Sequence, residues 1–298
     1  MRRGRNVWDS ACSEWVSNGI LLVVDEAGGF RELSCEWGLD MECENEDFRN
    51  ACDAVIGRER NADGIGTLGE KTVHAVLKRY FAPDVSCHEQ RCGGFVADIL
   101  FRHPESEQLD IFEIQTRGFD RLRRKLDAFL EEGTVTVVYP AVRTKWISWI
   151  DPETGEALKK RKSPRKGQGA DVFPELYKIK SQLLHPNFRL HIVLLDIVEY
   201  RNLNGWSADR KKGSTRFDGI PTELAAEIVL EKPADYLQLL PPELPEVFSA
   251  RDLSRLGKLR LTPARTTLNI LHHMGVVERV GKDGRAYLYR VVNEEICR

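Results

Sequence analysis

Two carboxylates in neighbouring apolar segments are the residues of this sequence that point most directly to chemistry. Asp98 lies within the apolar run 96–101, and Glu113 lies within a second run, 109–115. An unpaired carboxylate is costly to bury, so both side chains require a cation or hydrogen-bond donors. Carboxylate oxygens are ligands that Mg²⁺ and Mn²⁺ prefer, and these ions often complete their shell with water and phosphate oxygens. The pair therefore predicts a site for Mg²⁺ or Mn²⁺.

The elements around these carboxylates follow one another in the order α, β, β, β, α, β. Apolar residues at helical spacing predict helices at about 68–81 and 118–132. Turn residues separate three strands between the helices, and a β-branched strand follows the second helix. Because side chains alternate along a strand, Glu113 and Gln115 share one face. The predicted strands cover 87–92, 94–101, 109–115 and 134–138.

Residues 66–140 resemble the restriction-endonuclease-like, or PD-(D/E)xK, nuclease superfamily. The superfamily places an acid on one strand and acid-x-lysine on the next, after a helix that often carries a glutamate. The corresponding residues here are Glu70, Asp98, and Glu113 with Gln115. The resemblance implies an α/β fold with an αβββαβ core, in which a mixed sheet is flanked by helices. It also implies that Asp98 and Glu113 bind the metal, that Glu70 completes its shell, and that Gln115 orients the attacking water.

Gln115 stands where lysine is usual in that superfamily, and an amide supplies no positive charge to a phosphate in the transition state. The metal would supply most of that charge. Arg121 and Lys125 lie one turn apart on the following helix, so either is a candidate to reach the site. The arrangement also looks like that of uncharacterised bacterial proteins that pair such a core with a winged helix.

Each candidate residue also has a structural interpretation. Thr67-x-x-Glu70 matches a capping box, which alone would explain the glutamate. Asp98 and Glu113 could form salt bridges with Arg91 or Arg117 rather than bind a metal.

A basic segment follows the predicted core strands. Residues 1–114 contain 12 basic and 22 acidic residues, residues 115–216 contain 21 and 12, and residues 217–298 contain 11 and 12. The middle part holds a run of cations beside Trp146, and such a run can bind phosphates. A solvated loop is the alternative. The predicted nucleic-acid-binding residues of this run are Lys159, Lys160, Arg161 and Lys162.

The last 65 residues, 234–298, are predicted to form a winged helix-turn-helix. Ser249 and Asp252 mark the start of one helix, and Thr262-Pro263 opens a second. On the second helix Arg265 and Asn269 are predicted to face outward and read bases. A hairpin around 282–284 would form the wing. The alternative is a winged helix that binds a protein.

Composition sets the remaining expectations. Seven cysteines with no CxxC pair favour free thiols in a reducing compartment, so we expect a cytoplasmic protein. No apolar run approaches the about 20 residues of a membrane span. The predicted organisation is an N-terminal segment of unknown role (1–60), a nuclease-like core (61–202), a linker (203–233) and a winged helix (234–298).

The functional prediction is a metal-dependent nuclease that hydrolyses DNA or RNA, with DNA favoured as the substrate. Two alternatives stay open at this point. One is a catalytically inactive nuclease-like module that binds nucleic acid or regulates, and the other is a protein-assembly adaptor. A homodimer is compatible with either.

Overall fold

A computed structural model describes residues 15–17, 20–24, 30–33, 46–56, 72–103, 108–150, 157–202 and 215–292. The chain divides into two compact units, Met1–Glu46 and Asp47–Arg298. The first unit contains a three-stranded antiparallel sheet in which β2 is central. Its strands are β1 (Trp15–Ser17), β2 (Ile20–Val24) and β3 (Phe30–Leu33).

The second unit is built on a seven-stranded mixed sheet with the order β10-β9-β7-β6-β5-β4, and β8 pairs with β7. Helices α1 (46–56, which begins one residue before the unit) and α2 (Thr72–Phe81) precede the sheet in sequence. The strands are β4 (His88–Cys92), β5 (Phe95–Arg102), β6 (Leu109–Ile114), β7 (Gly133–Ile150), β8 (Arg161–Lys162), β9 (Phe188–Asn202) and β10 (Thr215–Leu230).

Strand pairing in the sheet changes from antiparallel to parallel at β6. Strands β4, β5 and β6 form an antiparallel meander, whereas β7 is parallel to β6 and β9 is parallel to β7. A parallel neighbour requires a crossover connection. Helix α3 (Arg123–Glu132) makes the first crossover, and a segment of short turns around α4 (Phe173–Leu176) makes the second. The predicted α/β class, a mixed sheet flanked by helices, is confirmed, and the elements follow the predicted αβββαβ order.

Both faces of the central strands are buried. Val137 packs in the core that contains Leu126 and Phe129 of α3, whereas Val138 packs with Leu77 of α2 on the other face. A strand covered on both faces has an almost continuous apolar sequence, which accounts for the run 134–138. The two helices therefore hold the β6–β7 region from opposite sides.

A C-terminal segment (248–291) follows a 3₁₀ turn at Pro233–Leu239. The Ser249 hydroxyl accepts hydrogen bonds from the first turn of α5, and Asp252 accepts one from the Ser249 N–H, so the predicted helix start is confirmed. Gly284, with φ of +56°, forms the turn of the predicted hairpin. The elements of the segment are β11 (Phe248–Ser249), α5 (Ala250–Leu256), α6 (Leu261–His273), β12 (Val277–Asp283) and β13 (Ala286–Val291).

Two predicted boundaries are wrong. The predicted linker 203–233 contains β10, which pairs along its length with β9 at the edge of the sheet. Register shifts and Pro221 interrupt the alternation of β10, and an edge strand tolerates proline because only one side is paired. The predicted N-terminal segment 1–60 includes α1, whose Phe48 and Ala51 belong to the core around α2. Among the described residues no helix is long and apolar enough to span a membrane.

Candidate active site

Asp98 and Glu113 lie side by side on β5 and β6. Strands β5 and β6 are antiparallel and Ile99 pairs with Phe112, so the adjacent pair along the two strands is Asp98 with Glu113. The backbone N–H of Asp98 donates to Glu113 Oε1 at 3.2 Å, and the N–H of Ile114 donates to Asp98 Oδ2 at 2.8 Å. The structure therefore brings together the two residues that the sequence singled out.

A nitrogen-bearing side chain contacts each carboxylate. His74 Nε2 of α2 lies 3.2 Å from Asp98 Oδ2, and Lys125 Nζ of α3 lies 2.7 Å from Glu113 Oε2. The Glu113 side chain is only 4% exposed, whereas that of Asp98 is 21% exposed. The partners are thus His74 and Lys125 rather than Arg91 or Arg117, which were the salt-bridge partners considered from the sequence.

Burial and mutual repulsion give the two carboxyl groups different pKa values. Burial and the nearby Asp98 charge raise the pKa of Glu113 to about 7, and Lys125 partly offsets them. Burial also acts to raise the pKa of Asp98, but the hydrogen bond and charge of His74, with the Ile114 N–H, outweigh it and lower that pKa. Two carboxylates in one site commonly titrate apart in this way. Asp98 is therefore the more readily ionised of the two.

The donor set of this pair suits a hard cation. Among the described residues, no hydrogen bond reaches Asp98 Oδ1, while both Glu113 oxygens have partners. The described residues contain no group of three His, Cys, Asp or Glu side chains placed as metal ligands. Mg²⁺ is often held by one or two carboxylates, with water and substrate phosphate completing the shell. Asp98 and Glu113 fit that mode of binding.

Gln115 does not point its amide at the carboxylates. Its Nε2 donates to the Arg117 carbonyl at 2.6 Å, and its backbone N–H donates to the Val138 carbonyl at 2.9 Å. The side chain therefore holds the turn after β6. Gly118 continues that turn with φ of +78°, a conformation that glycine adopts readily. Glu70 lies outside the described residues, and Arg121 forms no ion pair with either carboxylate in the part that is described.

A cavity of about 570 Å³ is lined by residues that neighbour the candidate site in sequence, but Asp98 and Glu113 are not in its lining. Thr116 and Arg117, which directly follow Gln115, line it, as does Val73, the neighbour of His74. Strands β7, β9 and β10 supply most of its remaining wall, and Pro263 of α6 also contributes. No local sequence pattern predicts this cavity, because its lining comes from segments far apart along the chain.

Comparison with known proteins places the site within a family. A family described as "Domain of unknown function (DUF8091)" matches residues 71–231, which run from the start of α2 through β10. The chain belongs to this family. It is also 31% identical over 232 residues to an uncharacterised protein of Treponema pallidum (strain Nichols), and the match covers 76% of this chain and 87% of that protein. No solved structure matches the chain.

The basic segment lies inside the DUF8091 domain and pairs with the sheet through β8. Strand β8 pairs with Trp146 and Ile147 of β7, and Lys162 Nζ lies 5.3 Å from the centre of the Trp146 ring. The four predicted phosphate-binding residues, Lys159, Lys160, Arg161 and Lys162, are all exposed. Arg161 and Lys162 are thus presented on a strand paired with β7, and Lys159 and Lys160 directly precede that strand.

Helix α6, outside the DUF8091 domain, departs from the prediction. Asn269 Oδ1 accepts a hydrogen bond of 2.9 Å from Lys180, and the backbone carbonyl of Lys180 lies 3.2 Å from His273 Nε2. The predicted outward orientation of Asn269 is thus wrong, because α6 packs on the domain through that side. Thr267 and Ile270 are buried in addition to the predicted inward residues Ala264, Leu268 and Leu271. Arg265 is exposed, as predicted.

Proposed function

We propose that this protein is a metal-dependent nuclease that hydrolyses phosphodiester bonds of DNA or RNA. One observation carries the proposal, namely the contact between Asp98 and Glu113, with Lys125 on the buried oxygen of Glu113. It occurs on the second and third strands of an αβββαβ arrangement, where the resemblance to the restriction-endonuclease-like superfamily expects it. We extend the proposal to a core of that type with a winged helix at 234–298.

The roles of the residues follow from their contacts. Asp98 and Glu113 would hold Mg²⁺ or Mn²⁺, which when bound turns water into a nucleophile and stabilises charge on the phosphate and the leaving oxygen. Lys125 supplies, from α3, the positive charge that Gln115 lacks. His74 fixes the orientation of Asp98 through its contact with Oδ2. Gln115 shapes the turn that leads from Glu113 to Arg117.

The substrate is held by positive charge outside the carboxylate pair. The cations of residues 159–162 are exposed on and beside β8, and phosphate contacts of this kind supply affinity without sequence preference. Arg265 is the exposed residue of α6 that we assign to substrate contact. DNA stays the favoured substrate. A cytoplasmic location also stays a prediction, and the free thiols of Cys52, Cys87 and Cys92 support it. A homodimer stays a prediction as well.

A second candidate function is an inactive module that binds nucleic acid. The Lys125 ammonium group already neutralises Glu113, and the Gln115 amide is engaged by the turn. A domain that no longer hydrolyses its substrate would retain such contacts and the exposed cations. Activity measurements distinguish the two functions.

The test is a cleavage assay on the full chain. Single-stranded and duplex DNA and RNA are incubated with Mg²⁺, with Mn²⁺ or with EDTA, using wild type, Asp98→Ala and Asp110→Ala. Asp110 is a matched control because it is an aspartate on β6 whose side chain contacts His103. Cleavage that requires metal, disappears in Asp98→Ala and persists in Asp110→Ala supports the nuclease. Equal cleavage by wild type and Asp98→Ala contradicts it, and metal-independent binding without cleavage favours the inactive module.

A further inference from the structure

The cavity that Thr116, Arg117 and Val73 line combines apolar and charged residues. Its volume of about 570 Å³ lies within the roughly 300–1,000 Å³ of small-molecule sites. The charged residues in its lining come from five separate parts of the chain. The apolar residues of the lining include Pro140, Val142, Pro174, Leu195, Ile197 and Pro263.

Three charged residues of the lining form ion pairs with one another. Glu199 lies 3.1 Å from Lys145 and 3.6 Å from Arg216. Asp171 accepts a hydrogen bond from the Gln168 N–H, and Asp218 accepts one from the Thr72 hydroxyl. These donors are neutral, so Asp171 and Asp218 keep their negative charges.

Arg117 and Arg165 differ from the other charged residues of the cavity. Both are exposed, and neither forms an ion pair with any residue that the structure describes. Burial, with the charges of Asp171 and Glu175, raises the pKa of Tyr139 to about 12, and the charges of Arg165 and Arg117 both oppose that rise. Both guanidinium groups are therefore near enough to Tyr139 to act electrostatically on its hydroxyl group. Two exposed arginines that form no ion pair in the described part of the chain are suited to an anionic group such as phosphate.

The position of Arg165 is set by a close approach of the backbone. The N–H of Ser163 donates to the Lys145 carbonyl at 2.8 Å, and that of Gly167 donates to the Val142 carbonyl at 3.0 Å. A Cβ at Gly167 would lie 2.2 Å from the Val142 carbonyl oxygen, so the approach requires glycine. The end of the basic segment is thus fixed against β7, with Arg165 in the lining of the cavity.

The size of the cavity limits what can enter it. A cube of this volume would measure about 8 Å on a side, which is less than the roughly 12 Å of the major groove of a duplex alone. This volume suits one unpaired nucleotide better than a duplex, with the base and sugar against the apolar lining. Arg117 follows β6, the strand that carries Glu113, and its backbone carbonyl accepts a hydrogen bond from the Gln115 amide.

We infer that the cavity binds one nucleotide of single-stranded nucleic acid, with its phosphate held by Arg117 and Arg165. The inference rests on the proposed nuclease function and names the substrate form that its site takes, an unpaired strand or strand end.

Binding can be measured without cleavage. The full chain with Asp98→Asn, in EDTA, is titrated by calorimetry with dAMP, AMP and the uncharged nucleoside deoxyadenosine. Fluorescence anisotropy compares a labelled oligo(dT) with a labelled DNA duplex. Arg117→Ala and Arg165→Ala are added singly and together, and Arg251→Ala, an exposed arginine of α5 outside the cavity, is the matched control.

We expect the monophosphates to bind and deoxyadenosine to bind far more weakly. Each arginine variant should weaken monophosphate binding about tenfold, the loss expected for one charge-assisted contact, while Arg251→Ala changes nothing. Oligo(dT) should bind more tightly than the duplex. Equal affinity for nucleoside and monophosphate, unchanged binding in the double variant, or duplex binding as tight as that of oligo(dT) would each overturn the inference.

The same variants separate this inference from the nuclease proposal. If wild type cleaves nothing with Mg²⁺ or Mn²⁺ while monophosphate binding still depends on both arginines, the cavity assignment holds and the nuclease proposal fails. If wild type cleaves and the arginine double variant binds monophosphate like wild type, the cavity assignment alone fails.

Discussion

Lys125 and Glu113 form an ion pair of 2.7 Å between a helix and the strand that precedes it in the chain. The stem of Lys125 also passes Phe129, whose ring centre lies 5.5 Å from Nζ. Phe129 is fully buried in the core under α3, so the helix holds the lysine in place. The cation is thus positioned by packing of α3 rather than by the strand that carries Gln115.

Loss of the Lys125 charge should reduce catalysis without a comparable loss of substrate binding. We expect Lys125→Met to lower the cleavage rate by about 10²–10³-fold, as removal of one preorganised charge-stabilising group does in other enzymes. Arg124→Met is the control because Arg124 is an exposed cation on the same helix. Single-turnover cleavage and anisotropy measure the two effects. Parallel losses of binding and rate in both variants would show that Lys125 contributes only general positive charge.

The same ion pair makes a prediction for stability. Removing one partner of a buried pair costs about 3–5 kcal/mol when the other charge stays unpaired, and protonation of Glu113 would reduce this cost. We therefore expect Lys125→Met to be less stable than the double variant Lys125→Met with Glu113→Gln. Urea unfolding of the two single variants and the double variant measures the coupling. Additive losses would show that the two side chains do not interact in solution.

Metal binding should depend on both carboxylates. Calorimetry with Mn²⁺ should detect binding to wild type that is lost when Asp98→Asn and Glu113→Gln are combined. These substitutions retain side-chain size and remove the charge that a hard cation requires. Asp110→Asn, on the same sheet, should bind Mn²⁺ like wild type. Unchanged binding in the combined variant would place any metal elsewhere.

The sequence predicted those parts of the fold that depend on local periodicity. Helices α2 and α3 and strands β4 to β7 appear in the predicted order because their apolar residues recur at helical or strand spacing. Strand β10 was missed because Pro221 and the register shifts remove its alternation. Its pairing with β9 depends on contacts that no local pattern encodes.

The sequence predicted the part of the site that depends on the order of neighbouring strands. Asp98 and Glu113 could be placed together from strand order, and Lys125 was one of two candidates from helix spacing. His74 was missed because its contact with Asp98 crosses from a helix to the sheet. Arg165 reaches the cavity only because Gly167 allows the chain to approach β7.

The contact of α6 with Lys180 predicts that Asn269 contributes to stability rather than to base recognition. Asn269→Ala and Lys180→Ala should each lower the free energy of unfolding by about 1 kcal/mol and should not be additive, because they remove the same hydrogen bond. Thr262→Ala, at an exposed position of the same helix, is the control. Binding to DNA sequence libraries should be unaffected by Asn269→Ala and weakened by Arg265→Ala. A changed sequence preference in Asn269→Ala would restore a role in base recognition.

The Gln115 position separates an active enzyme from an inactive module. The amide of Gln115 holds the Arg117 carbonyl, so Gln115→Ala should loosen the turn and reduce cleavage while Glu113→Ala abolishes it. Lysine at 115 would restore the acid-x-lysine pattern and supply a charge near the phosphate, but it would release the Arg117 carbonyl from the amide. We therefore expect Gln115→Lys to retain part of the wild-type rate. Metal-dependent cleavage assays of wild type and the three variants measure these relative rates. If wild type is inactive with every divalent metal while Gln115→Lys cleaves, the natural protein binds nucleic acid without hydrolysing it, and Lys125 does not replace the missing lysine.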